Sequence, residues 1–447
     1  MKKVLIIMTG ISLITFACTY EPNFTALDQE LEQSIQTHSF DKGLSYFILP
    51  DGSDYQNIPN QDAKNPITAE KVALGKMLFH ETGIGLMPDK PVSFQTYSCS
   101  SCHIAKKGFT AGRHQGIADG AIGFGELGEG RDKNPLYQGA DVDAQGARPL
   151  PTMNLAYVTN ALWAGTFGSK GVNVGTESVW NQDTLVNINY QILEGLEANN
   201  IRALIVHRQV MNKKIADALG YTEMFNKAFP DFPESERYTL TTSAFAIAAY
   251  FRSIFTNEAP FQYWLKGDKK AMTVNQKKGA QLFFGKAGCI NCHNSPSFNQ
   301  MNFFAVGAKD MYENEKATFR TDINDGRNRG RAGFTKNASD LHKFKVPQLY
   351  TLKNVGFYLH GASKKSIRDV VQYFNDAIPE NTRINPSQIS DFFKPLHLTN
   401  EEMDNLADFI ENGLYDPRME RYVPERTMSG MCFPDNDPKA KKDMGCN

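Results

Sequence analysis

The sequence lacks any large charge imbalance, any long apolar run past its first residues, and any abundance of cysteine. Of 447 residues, 48 are Lys or Arg and 49 are Asp or Glu, a formal net charge of -1. Such a chain has no basic surplus of the kind that binds nucleic acid. Without an apolar run of bilayer length beyond the N-terminus, a polytopic membrane protein is excluded too. Aromatic residues, by contrast, are plentiful: 30 Phe and 17 Tyr, with 3 Trp, rule out disorder over most of the chain. The length suits two or three domains with proper cores. Cysteine is scarce at seven, an odd number, and its partition carries the functional reading.

The N-terminus reads as an address. Lys2 and Lys3 precede an apolar stretch, Val4 to Ile14, too short for a transmembrane helix. It ends Thr15-Phe16-Ala17-Cys18, which is similar to the lipobox of bacterial lipoproteins except that Thr15 stands where Leu is usual. Residues 1–18 are therefore expected to be a signal segment, with Cys18 kept as the lipidated first residue; an ordinary cleaved signal is the alternative. The polar residues 19–60 read as a tether. Either signal takes the protein out of the cytoplasm, to the periplasm or cell envelope, where a lipid on Cys18 would be its sole membrane attachment.

Four cysteines form two C-x-x-C-H motifs, Cys99-Ser100-Ser101-Cys102-His103 and Cys289-Ile290-Asn291-Cys292-His293. The spacing lets two thiols add to the two vinyl groups of one haem while the adjacent His reaches its iron. A zinc ribbon would pair two C-x-x-C units far closer in sequence, and a thioredoxin-like motif needs a βαβ pattern that is absent. Two covalently attached c-type haems follow, with His103 and His293 as proximal ligands. Cys432 and Cys446 remain, in a Pro/Asp/Lys-rich tail, as a disulfide or as two unpaired thiols.

The remaining pattern is helical. Thr273 with Gln276, and Thr399 with Glu402, are capping boxes; the second precedes the stripe Met403, Leu406, Ala407 and Ile410. Ile367, Val370, Val371 and Phe374 form another stripe. A segment near Thr241 to Phe255 is apolar almost all round and is expected to be buried. Gly75-Lys76-Met77-Leu78-Phe79 and Gly279-Ala280-Gln281-Leu282-Phe283 share the pattern G-x-x-L-F, each upstream of a haem motif. A haem-binding helical domain thus occurs twice, at 61–265 and 266–447, the second carrying the C-terminal tail.

With these motifs in hand, the chain resembles the bacterial di-haem cytochrome c peroxidases, including the MauG-like enzymes. The resemblance rests on Leu74 to Phe79, on Gly108-Phe109-Thr110 and on Arg148 to Asn154. It continues through Phe283 to Cys289, Lys345 to Leu349, Asn354-Val355 and His360 to Asn375. It implies an all-α fold of two cytochrome-c-like haem domains with long loops and little β structure. The implied activity is reduction of hydrogen peroxide at the N-terminal haem, with electrons relayed through the C-terminal haem. The donor would be a small periplasmic cytochrome c or copper protein, or a membrane cytochrome, and the resemblance allows a homodimer. Trp163 matches the Trp between the haems that assists electron transfer. Glu197 matches the Glu that serves peroxide as acid–base group, a role a carboxylate near the iron can fill; Glu194, one turn away, is the alternative.

Two departures stand out. Phe374 occupies the place where the C-terminal haem usually finds a second ligand, Met or Tyr, and Phe cannot ligate iron; Tyr373 is one residue off. The stretch Asn354 to His360 lacks the Thr-x-Pro that supplies calcium in the family, which argues against calcium here. His114 is a candidate distal ligand, and His360 matches a His close to the second haem. Other readings of the chain are a MauG-like oxidant of a partner protein, a non-catalytic electron carrier, and a haem-bearing sensor lipoprotein.

Overall fold

The computed structural model describes residues 25–446. The signal segment and Cys18 lie outside the described residues. Of the thirteen α-helices among the described residues, nine position the site: α1 Ala26–His38, α2 Ala69–His80, α3 Gly195–Val206, α4 Leu240–Ser253, α5 Pro260–Leu265, α6 Val274–Phe284, α7 Ile367–Asp376, α8 Asn400–Asp408 and α9 Pro438–Met444. Strands are few and short. β1 Ala121–Ile122 pairs antiparallel with β2 Asp132–Lys133, and β3 Gln300–Phe304 with β4 Phe344–Val346. The fold is helical with long loops, in keeping with the sequence.

Local chemistry sets the helix starts. The Thr273 and Thr399 hydroxyls accept from the backbone N–H groups of Gln276 and Glu402, whose side chains reach back to the caps. α4 is buried on every side from Thr242 to Ser253, as its apolar composition requires.

Each half is built on one close helix crossing. Gly75 of α2 lies against α4, where a Cβ would sit 2.0 Å from the Ala246 carbonyl oxygen. Gly279 of α6 lies against α8, with a Cβ position 2.0 Å from the Asn405 carbonyl oxygen. The repeated G-x-x-L-F therefore has a physical cause. Glycine lets two backbones touch, and the Leu and Phe beyond it line each core: Leu78 and Phe79 in the first, Phe283 in the second.

The chain does not divide between the cores at one point, and the tether reading is corrected. From Thr25 onward the chain is ordered and docked: Leu31 and Ile35 of α1, then Phe47, Leu49 and Ile58, are buried in the second core. At roughly 1.5–3 kcal/mol for each fully buried side chain of this size, such packing outweighs the polar composition on which the tether reading rested. Asp28 completes the contact, accepting from Trp264 Nε1 at 2.7 Å and pairing with Lys277 at 2.6 Å. α5, placed by the sequence in the first domain, also packs in the second core through Phe261 and Trp264.

The C-terminal tail does the converse. Met419 joins the first core, and Tyr250 of α4 donates to the Tyr422 carbonyl at 2.9 Å. The disulfide Cys432–Cys446 then closes a segment that includes α9 and lies on the first domain. Each terminus thus packs on the domain that is distant from it in sequence.

Candidate functional site

Both C-x-x-C motifs adopt a single 3₁₀ turn, in which the second Cys N–H bonds the first Cys carbonyl at 3.2 Å. All four cysteines are free, and burial raises each thiol, to about 12 for Cys99, Cys102 and Cys289 and about 11 for Cys292. Thiols held neutral this way do not suit a reactive dithiol, and among the described residues no group of three or more His, Cys, Asp or Glu is placed to hold a metal ion.

The two histidines are held alike. His103 Nδ1 bonds the Phe109 carbonyl at 2.9 Å, and His293 Nδ1 bonds the Phe298 carbonyl at 2.6 Å. Burial pushes both imidazoles down to about 4, so they are neutral at pH 7. With Nδ1–H donated to a carbonyl, the Nε2 lone pair is left for a metal. Phe109 and Phe298 have φ of 52° and 55°, the left-handed region that a bulky L-residue seldom adopts. The same strained Phe therefore orients the His in both halves. Two thiols on a turn with a neutral, oriented imidazole fit a covalently attached haem at each motif.

Beside Pro347, whose backbone acts electrostatically on the His293 ring, lies an apolar cavity. Pro347, Leu349, Val355, Ile367, Val371 and Ile410 are among the residues that line it. Trp163 and Arg148 form part of the same wall. Trp163 Nε1 donates to the Arg148 carbonyl at 2.7 Å, and its ring meets Phe344 and His360 edge-on at 6.4 and 6.2 Å. Arg148 Nη2 donates to Thr110 Oγ1 at 2.8 Å, seven residues past His103, and the guanidinium acts electrostatically on His103. Trp163 and Arg148 thus connect the surroundings of the two motifs.

Glu197 is fully buried in a bidentate ion pair with Arg252, at 2.5 and 2.8 Å, and accepts from Asn65 Nδ2 at 2.9 Å. Both carboxylate oxygens are engaged, so the residue first of all locks α3 to α4. Glu194 pairs with Lys170 at 2.8 Å near the surface. Phe374 packs on Phe393 and Tyr373, while the Tyr373 hydroxyl donates to the Val306 carbonyl at 2.6 Å. Neither lines the cavity, and no Met, Cys or His is among its lining residues. His114 Nε2 meets the Ala317 carbonyl at 2.9 Å. His360 pairs with Asp310 at 2.9 Å and stacks on Phe344, a packing role.

Sequence reasoning missed the strap over the first motif. Ser98 Oγ donates to the Pro434 carbonyl at 2.9 Å, and Ser101 Oγ, 3.1 Å from the same carbonyl, donates to Asp435 Oδ1 at 2.6 Å. Asp435 is fully buried and pairs with Arg131 at 2.5 Å. The paired tail cysteines were the one available signal, and they do not say where the closed segment lands.

Residues 69–270 match the family of di-haem cytochrome c peroxidases. The chain is 29% identical over 371 residues to a cytochrome-c peroxidase of Denitromonas iodatirespirans, covering 78% of this chain and 82% of the relative. It is 27% identical over 365 residues to the methylamine utilization protein MauG of Methylorubrum extorquens, covering 81% and 83%. Its fold is similar to the crystal structure of a MauG-like protein associated with microbial copper homeostasis, with a TM-score of 0.55, 21% identity, and coverage of 83% of this chain and 95% of that one. The duplicated motif, the duplicated helix crossing and these matches agree: residues 69–270 match the di-haem cytochrome c peroxidase family, and most of the chain is similar to cytochrome-c peroxidase and MauG proteins.

Proposed function

We propose that this protein is a peroxidase that reduces hydrogen peroxide to water at the haem centre of Cys99, Cys102 and His103. Electrons come from an external redox donor through the centre of Cys289, Cys292 and His293. The matched construction of the two motifs, each His oriented by the carbonyl of a left-handed Phe, is the observation that carries the reading. The relatives named cytochrome-c peroxidase support the reaction class. The haems would supply the redox-active irons; peroxide takes up two electrons and two protons to give two waters.

The chain's own residues have three tasks. His103 and His293 hold their imidazoles neutral with Nε2 free. Trp163 lies on the wall of the apolar cavity at Pro347 and bonds Arg148, which supports it as the bridge for electrons. Glu197 is the proposed proton carrier, and its pair with Arg252 sets the condition for that role: taking up a proton means giving up a buried charge pair. Export is supported by the Cys432–Cys446 disulfide together with the haem motifs. Among the described residues no helix is long and apolar enough to cross a membrane; the proposed anchor is Cys18, on the lipobox-like sequence before it.

The test is peroxide consumption by the two-haem protein supplied with a reduced small cytochrome c or copper protein. Turnover that disappears in Cys99→Ala/Cys102→Ala, while the second haem is retained, supports the reading. A two-haem protein that consumes no peroxide with any donor overturns it.

A further inference from the structure

A second, open cavity of about 520 Å³ lies away from both motifs, a size suited to a small molecule. Its floor is the buried Arg331. Nη1 donates to the Ala164 and Gly165 carbonyls at 2.8 and 3.2 Å, and Nη2 to the Val172 carbonyl at 2.6 Å. Those bonds use three of five guanidinium donors. The group also lies over the Phe303 and Phe334 rings, 4.7 and 4.9 Å from their centroids. Gly165, at φ 62°, makes this possible, since a Cβ there would stand 2.7 Å from Phe303 Cζ and 3.1 Å from Arg331 Nη1.

No ion pair holds the charge on this floor. Among the described residues no carboxylate reaches ion-pair distance of Arg331 or Lys343, the two cations of the lining. Asp340 is the sole acid of the lining, and its Oδ2 accepts from the Thr335 hydroxyl at 2.7 Å. Behind the floor, buried Lys345 donates only to the Asn160 carbonyl, at 2.7 Å. Burial lowers Arg331 to about 10, although Asp340 acts electrostatically in the opposite direction, and burial with the nearby Arg331 lowers Lys345 to about 7, as expected of positive charge kept from water. The walls are mixed: Val172, Val179, Met301, Phe303 and Phe304 supply apolar surface, and Thr176, Ser178, Asn302 and Asn337 polar surface.

We infer that this cavity binds a small aromatic carboxylate, its anionic end toward Arg331 and Lys343 and its ring against Phe303 and Phe304. An anion there compensates a cation already desolvated by the fold, and the flat apolar body covers the aromatic wall. Arg331 ties the cavity to the Trp163–Gly165 segment, where the Trp163 carbonyl accepts from the Lys345 N–H at 2.8 Å. The inference stands independently of the peroxidase reading, because binding is measured without turnover.

Calorimetric titration of the two-haem protein with 4-hydroxybenzoate, and with 4-hydroxybenzamide as the neutral isostere, tests it. The expected result is one saturable site, at least about tenfold weaker for the amide and at least about tenfold weaker in Lys343→Glu. Arg331→Ala removes three backbone anchors as well as the charge, so Lys343→Glu is the informative variant. No saturable binding up to about 10 mM, equal affinity for acid and amide, or an affinity unmoved by Lys343→Glu each overturns the assignment.

Discussion

In the first haem domain, α2 crosses α4 at Gly75, and the motif is covered by a strap from the far C-terminus. In the second, α6 crosses α8 at Gly279, and the packing is completed by α1 from the far N-terminus. The centres themselves match closely, down to the left-handed Phe that orients each His. What differs is the closure. A disulfide-bonded tail holds Ser98 and Ser101 of the first motif through Pro434 and Asp435. The second domain relies on noncovalent docking, chiefly the buried Asp28–Lys277 pair and the Leu31 and Ile35 contacts. A duplicated unit can therefore keep its chemistry while its outer contacts diverge, because orienting one His needs only a few residues nearby, whereas closing a core can draw on any part of the chain.

The largest expected effect falls on the first domain alone. Glu197→Ala leaves Arg252 buried without its partner and should cost about 3–5 kcal/mol in thermal unfolding. Glu197→Gln should keep the fold and slow peroxide turnover by roughly a hundredfold; an unchanged rate makes Glu197 structural only. Next comes the strap. Cys432→Ser/Cys446→Ser should cost about 3 kcal/mol and alter the absorbance of the first haem but not of the second. Equal changes at both haems would break the contrast in closure.

Gly75→Ala and Gly279→Ala should each destabilise by about 1–3 kcal/mol or more, since a backbone carbonyl has little room to yield. A large difference between the two would show that the crossings are not equivalent. The smallest effect concerns pH. Burial acts to raise Asp28, but its bonds with Lys277, Thr25 and Trp264 outweigh that and lower it to about 2 from 3.8. A depressed carboxyl stabilises the fold above its unfolded pKa and loses that contribution as pH falls from about 4 to about 2. Hydrogen exchange in α1 should rise over this window, and Asp28→Asn should lack the dependence.

Much of this organisation was legible beforehand. Capping boxes, amphipathic stripes and the all-round apolar α4 depend on neighbours within a turn or two, so their signal is local. The haem motifs are likewise local, fixed by the reach of two thiols and one imidazole. The docking of residues 25–60 was not legible, because a few apolar side chains are hidden in a polar average. Nor were Phe109 and Phe298, since a non-glycine residue with positive φ leaves no mark in composition. Glu197 was picked by resemblance, but its partner Arg252 lies 55 positions away and only the packing of α3 on α4 joins them.

The sequence by itself determined the two C-x-x-C-H motifs, whose spacing fits haem attachment, and the glycine that each helix crossing requires. Tertiary structure decided which segment closes which core, why Phe374 and Tyr373 miss the apolar cavity at Pro347, and that Arg331 lies without an ion pair beneath an open one. The physical reason is range. Bonding geometry within a few residues is written in their spacing, whereas burial and charge compensation depend on groups brought together from hundreds of residues apart.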